Sequence, residues 1–353
     1  MAAFRQKLNL EKTYLGGNAM AGWKTCALKP ALAFVSGFAG AAIAAVPATA
    51  ETWEMYTYNP VATVAGARGM ARIAEAVEKD TNGQLTMKLH LGGSLPIKAT
   101  NITQAVADNI VQIAADSFFT GSIPMAGVTR LPMLVRDDQE FAKVSAIVEP
   151  YMAAAYAKKG IVVLGSYSYP QQVAWSRKPL TSLAEIKGQK LRVTSPEQSE
   201  FLKRFGGSSV TLGAPEVPSA IDRGVIDGGF TASSGLGWVW RDLVKYNYRL
   251  GINYVNSLVI ANKEAYDKLS PDAQAKLRKT VEEVGPWITA TMREDERDLT
   301  RKLAEAGIVV TEAKPEAEEQ AQKMMASYWD EWAKSRGPEA VEALGKIRAA
   351  VGR

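Results

Sequence analysis

The chain carries little of the usual equipment for catalysis. Among its 353 residues it has one histidine and one cysteine, so neither His90 nor Cys26 has a like partner with which to hold a metal. No H-E-x-x-H, G-x-S-x-G or intact phosphate-loop pattern is present. Gly235-Leu236-Gly237 lacks the downstream glycine of a dinucleotide turn and reads as a hinge or helix entry. No metal and no cofactor are expected, and the shortage of nucleophile–base pairs argues against an enzyme. The sequence does supply a well-placed cation. Arg192 alternates with Leu191 and Val193 as in a strand, just before Ser195-Pro196, a good helix start. A permanently charged side chain there needs an anion, a carboxylate partner or water. Asp227 or Glu216 could pair with it inside the fold; otherwise its guanidinium can fork onto the carboxylate of a small molecule.

The elements that must position Arg192 are legible in order. Lys190–Thr194 is a strand, a helix follows to Phe205, and Gly206-Gly207 stops it. Val210–Leu212 is a second strand, Pro215–Arg223 a short helix, and a third strand runs from Val225 to Asp227-Gly228-Gly229. Strands alternating with helices at this spacing imply a parallel sheet, whose ligands bind at strand C-termini. Asn59, Ser94, Asp116, Ser117 and Phe118 also end strands and could face the same cleft, although polar residues there are often turn formers. Trp175 fits an aromatic wall or buried core equally well.

Gly188, Lys190-Leu191-Arg192-Val193, Phe205-Gly206-Gly207, Pro215-Glu216-Val217, Ala220-Ile221 and Gly224-Val225-Ile226-Asp227-Gly228 together resemble the solute-binding proteins of tripartite ATP-independent periplasmic (TRAP) transporters. Each element alone is weak, but their order and spacing are specific, and a looser likeness covers almost all of the chain after its leader. The resemblance implies an α/β, two-domain periplasmic-binding-protein fold, with a ligand cleft between the domains and a long helix spanning both. It implies that Arg192 grips the carboxylate of an organic acid. Gln171 and Gln172 stand where relatives place a second basic residue or an amide. Where relatives carry an asparagine after the last crossover strand, this chain has Phe230, Thr231, Ser233 and Ser234, then Trp238 and Trp240. That departure suits a less polar acid than a sugar acid, aromatic or branched for example. The carboxylate that some relatives use there to hold a metal is missing.

The first fifty residues read as a removable leader: Lys24 and Lys29, an apolar run from Pro30 to Val46, then Ala48-Thr49-Ala50. The run is short for a membrane span, and Met20 would start a leader of ordinary length. The full chain has 42 basic and 37 acidic residues; without residues 1–50 these become 37 and 36. The formal charge of +5 therefore says little about nucleic acid, and no such partner is expected. The remainder is cysteine-free, which suits the periplasm.

After the leader, the spacing predicts strands at Trp53–Thr57, Leu85–Leu91, Val111–Ala115, Ile161–Tyr169 and Tyr254–Asn262, and helices at Val64–Lys79, Thr100–Asp108 and Asp137–Lys159. A helix opening at Ser270-Pro271 could reach Ala306, with a kink near Glu283 ahead of Pro286. The tail from Pro315 is helical, with Met324, Met325, Tyr328, Trp329 and Trp332 as its apolar stripe. Domain I is expected to take 51–169 plus 258–297, and domain II 170–257 plus 298–353. The expected protein is a monomer that closes on an organic acid and docks on the permease subunits of a TRAP transporter. A ligand-presenting sensory module, or a periplasmic enzyme using Asp116 or Asp227 with Arg192, are the other readings.

Overall fold

Eleven strands in the described residues fall into two sheets. The first has the order β2-β1-β3-β10-β4, from Leu85–His90, Glu51–Thr57, Ile113–Asp116, Val255–Asn262 and Ile161–Tyr169. The second has the order β11-β9-β5-β8-β6-β7, from Val309–Glu312, Tyr246–Arg249, Val173–Ser176, Gly228–Thr231, Lys190–Val193 and Ser208–Thr211. The computed structural model describes residues 50–353, so the leader and Cys26 lie outside the described residues. The helices are α1 (Ala65–Asp80), α2 (Ile102–Ala107), α3 (Asp138–Ala157), α4 (Pro196–Arg204), α5 (Val217–Asp222), α6 (Trp238–Trp240), α7 (Lys263–Lys268), α8 (Pro271–Leu303), α9 (Pro315–Arg336) and α10 (Pro338–Val351). This is the two-sheet α/β architecture the sequence implied.

Antiparallel pairing marks where the chain changes sheet. In the first sheet β1 is parallel to β2 and β3, whereas β10 runs against β3 and β4. In the second, β6 is parallel to β7 and β8, whereas β5 runs against β8 and β9. Both β5 and β10 enter from the other sheet, through Pro170–Gln172 and Leu250–Tyr254, so each arrives against its neighbours. A long helix joins the halves: α8 packs on α1 and β4 and reaches the turn after β8. Its 33 residues rise about 50 Å at 1.5 Å each. Ser270 caps Ala273 N at 3.2 Å and Pro271 opens the helix, which continues through Pro286 as one element.

Local chemistry explains most boundaries. Ser195 and Asp137 cap α4 and α3 through the backbone N–H groups of Gln198 and Glu140. Asn82 and Gly83, at φ 51° and 75°, end the turn after α1 in the left-handed region. The strand expected from Val225 instead starts at Gly228. Asp227 ends the preceding loop, accepting from Lys190 N at 3.0 Å and pairing with Lys178 at 2.8 Å. Ladder pairing begins only where Gly228 lets the chain pass the Trp175 carbonyl, a space a β-carbon would fill. In the tail, Met325, Trp329 and Trp332 are buried, while Met324 is exposed. His90 bonds Glu54 on the neighbouring strand. No described helix is long and apolar enough to cross a membrane.

Candidate functional site

Main chain fixes the direction of Arg192. It lies on β6 between Val210 of β7 and Gly229 of β8. Its Nε donates to the Leu212 carbonyl at 2.9 Å and its Nη1 to the Phe230 carbonyl at 3.1 Å. The guanidinium sits 5.6 Å from the Phe118 ring and 5.7 Å from that of Trp240. The residue is 2% exposed, yet no described carboxylate forms an ion pair with it. Asp227 is taken by Lys178 and Arg177, and Glu216 accepts from Gly213 N at 2.8 Å. Burial lowers the Arg192 pKa to about 10, partly opposed by Tyr58 and Glu216, so it stays charged at neutral pH.

Arg192 lines a small cavity between the sheets, of about 30 Å³, room for one or two waters. The first sheet contributes its strand ends: Tyr58 and Asn59 after β1, Ser117 and Phe118 after β3, and Tyr169 on β4. The Tyr58 and Tyr169 hydroxyls are hydrogen-bonded, and Tyr169 donates to Asn59 Oδ1 at 3.4 Å. Burial raises both phenol pKa values above the ordinary 10, so both remain protonated. The second sheet contributes Thr194, Thr231, Gly235 and Leu236 beside Arg192, while Gln172 and Val255 flank the crossings.

The turn carrying Gly235 and Leu236 is a single π-helical turn, Ser233–Gly237, a form common at functional sites. Ser234 N donates to Glu296 Oε2 at 2.7 Å, and Arg249 Nη1 donates to Ser233 Oγ at 3.0 Å. Gly237 rests against the Trp175 indole where a side chain would collide with the ring.

The cavity thus brings together Arg192, Gln172, Asn59, Ser117, Phe118 and Thr231 from the sequence candidates. The others stand elsewhere. Gln171 points away from its neighbour and donates to the Arg136 carbonyl at 2.8 Å. Trp175 is fully buried and donates to the Thr231 carbonyl at 3.0 Å, supporting the wall from behind. Asp116 accepts from Thr103 Oγ1 at 2.6 Å and Phe118 N at 2.7 Å, as a turn former does. Ser94 is an exposed turn residue bonded to the Leu91 carbonyl. Phe230 packs its ring against Phe201 and offers the site only its carbonyl. Ser233 supports the π-turn, and Trp238 is half-buried under Arg241, away from the cavity. Sequence reasoning missed Tyr58, Tyr169, Thr194, Val255, Gly235 and Leu236 as lining residues. The first four sit at or beside strand ends, and position at a strand end was the available signal; Gly235 and Leu236 lie in the π-turn, which the sequence offered only as a hinge or helix entry.

Two sheets enclosing a cavity, with a buried and unpaired guanidinium in its wall, define a two-lobed binding protein. Over residues 62–335 the chain matches the family described as bacterial extracellular solute-binding protein, family 7. It belongs to that family, the solute-binding proteins of TRAP transporters, which bind small organic acids and serve a membrane permease. It is 25% identical to the 2,3-diketo-L-gulonate-binding periplasmic protein of Escherichia coli K12, over 67% of this chain and 74% of that one. It is also 25% identical to the C4-dicarboxylate-binding periplasmic protein of Rhodobacter capsulatus, over 78% and 85%. Among solved structures, a Bordetella pertussis extracytoplasmic solute receptor binding pyroglutamic acid superposes with a TM-score of 0.79. That receptor is 27% identical to this chain, and the match covers 85% of this chain and all of the receptor.

Proposed function

We propose that this chain captures an organic acid by its carboxylate on Arg192 and delivers it, in a closed cleft, to the permease of a TRAP transporter. The carrying observation is the guanidinium itself: buried, held by two carbonyls, lining the cavity and unpaired with any described carboxylate. A buried charge without a counter-ion is costly, and a ligand carboxylate supplies one together with charge-assisted hydrogen bonds. In this reading residues 51–169 plus 258–297 form one lobe and 170–257 plus 298–353 the other. The strand memberships of the two sheets support that division except at Val255–Ser257, which open β10 in the first sheet, and α10 packs on α3 of the first lobe. An acid touching both strand-end clusters binds the closed arrangement better than the open one and shifts the population toward it. Residues 1–50 would be removed on export to the periplasm, and the ligand-loaded monomer would be the form that docks.

A thermal-shift series of carboxylic acids tests this, with pyroglutamate as the first probe. An acid that binds only the folded chain raises Tm. Arg192→Ala is expected to abolish every such shift and weaken binding about 100-fold, the equivalent of about 3 kcal/mol. Arg192→Lys keeps the charge without the fork and should recover only part of the affinity. Shifts unchanged in Arg192→Ala would refute the assignment.

A further inference from the structure

The charges around the cavity select the kind of acid. Arg192 is the only Lys, Arg, Asp or Glu in the described lining. A second buried cation, Arg130, lies behind the wall, where its Nη2 is bound to the Ser117 carbonyl at 3.0 Å and the Asn256 carbonyl at 2.9 Å. It makes no described ion pair, its Nε and Nη1 have no hydrogen-bond partner, and it is absent from the lining, as are the nearby Glu197 and Asp116. Glu216, which faces Arg192, is occupied in capping Gly213 N. The described lining therefore carries one cation, at one end. The first-sheet side presents neutral groups, the Tyr58–Tyr169 hydroxyl pair and the Asn59 amide, with Phe118 beside them. A second carboxylate would be buried against these groups with no cation in the described lining to meet it.

We infer that the cleft selects an acid with one negative charge, whose far end carries an uncharged hydrogen-bonding group such as an amide, and that it rejects dianions. This rests on the carboxylate–Arg192 reading above, and separates the present chain from a relative named for C4-dicarboxylates.

The decisive comparison uses isosteric pairs that differ by one charge, by calorimetry on the ligand-stripped full chain: succinamate against succinate and glutaramate against glutarate, with pyroglutamate alongside. The expected result is binding by pyroglutamate or a half-amide, with each dicarboxylate at least 100-fold weaker than the monoanion that binds best. A dicarboxylate equal to or tighter than its half-amide overturns the inference. So does failure of pyroglutamate and both half-amides while some other acid binds. If no acid binds at all, the carboxylate reading itself is lost. Tyr58→Phe and Tyr169→Phe should weaken the amide-bearing acid about tenfold and leave pentanoate unchanged. An equal loss for both ligands would make the phenols structural and overturn their assigned role.

Discussion

Arg249 on β9 and Glu296 on α8 meet at 2.9 Å with both side chains largely shielded from water. Each also bonds the π-turn: Glu296 accepts from Ser234 N, and Arg249 donates to Ser233 Oγ. The pair ties the long helix to the loop that forms one wall of the cavity. Glu296→Gln leaves Arg249 with only the exposed Glu312 as an ionic partner. A loss of about 2 kcal/mol in urea unfolding is expected, below the range for fully buried pairs because water reaches this one. Ligand affinity should fall more than for a surface variant of equal stability, since Gly235 and Leu236 would no longer be held in place.

Stability should carry a pH signature from Asp116. Burial raises its pKa from the ordinary 3.8 to about 6, against hydrogen bonds from Thr103 and Phe118 N that lower it. A carboxyl with a raised folded pKa holds its proton more tightly when folded. Its stabilising contribution is complete below about pH 4 and is lost as pH rises through 6. The loss amounts to about 3 kcal/mol. Asp116→Asn removes this dependence while keeping an acceptor for Phe118 N. Urea melts from pH 4 to 7 should show the parent losing stability relative to the variant across that window; parallel curves would contradict it.

Two glycine-to-alanine changes should have opposite signs. Gly285 on α8 lies so close to the Ser166 carbonyl of β4 that a β-carbon would overlap it, and Gly285→Ala should cost about 1–3 kcal/mol as the helix is pushed off the sheet. Gly345 on α10 has open space around its β-carbon position, and Gly345→Ala should gain about 0.5–1 kcal/mol from helix propensity. Denaturation midpoints measured side by side check both.

The sequence carried the alternation of elements and the position of Arg192 because apolar period, caps and glycine stops are local signals. Ile161–Tyr169 has the expected bounds, and the return strand starts at Val255, one residue later than expected. What failed was orientation. Gln171 and Gln172 are adjacent, and successive side chains of an extended segment face opposite ways, so only one can reach the cavity; composition cannot say which. Tyr58 and Tyr169 were hidden because a buried tyrosine looks like core until the opposite lobe is placed. Val225 to Gly228 was misjudged because the pairing limit is set by the Trp175 carbonyl, some fifty residues away in the chain.

The two carbonyls that clamp Arg192 come from the same half of the molecule, so the side chain need not reorganise when a guest arrives. Its dehydration was settled when the chain folded, and its rotamer freedom was surrendered then as well. Capture should therefore be governed by the swing of the lobes and by the guest's own shedding of water. Variants that alter the crossings at Pro170–Gln172 and Leu250–Tyr254 should act mainly on how fast the acid enters and leaves.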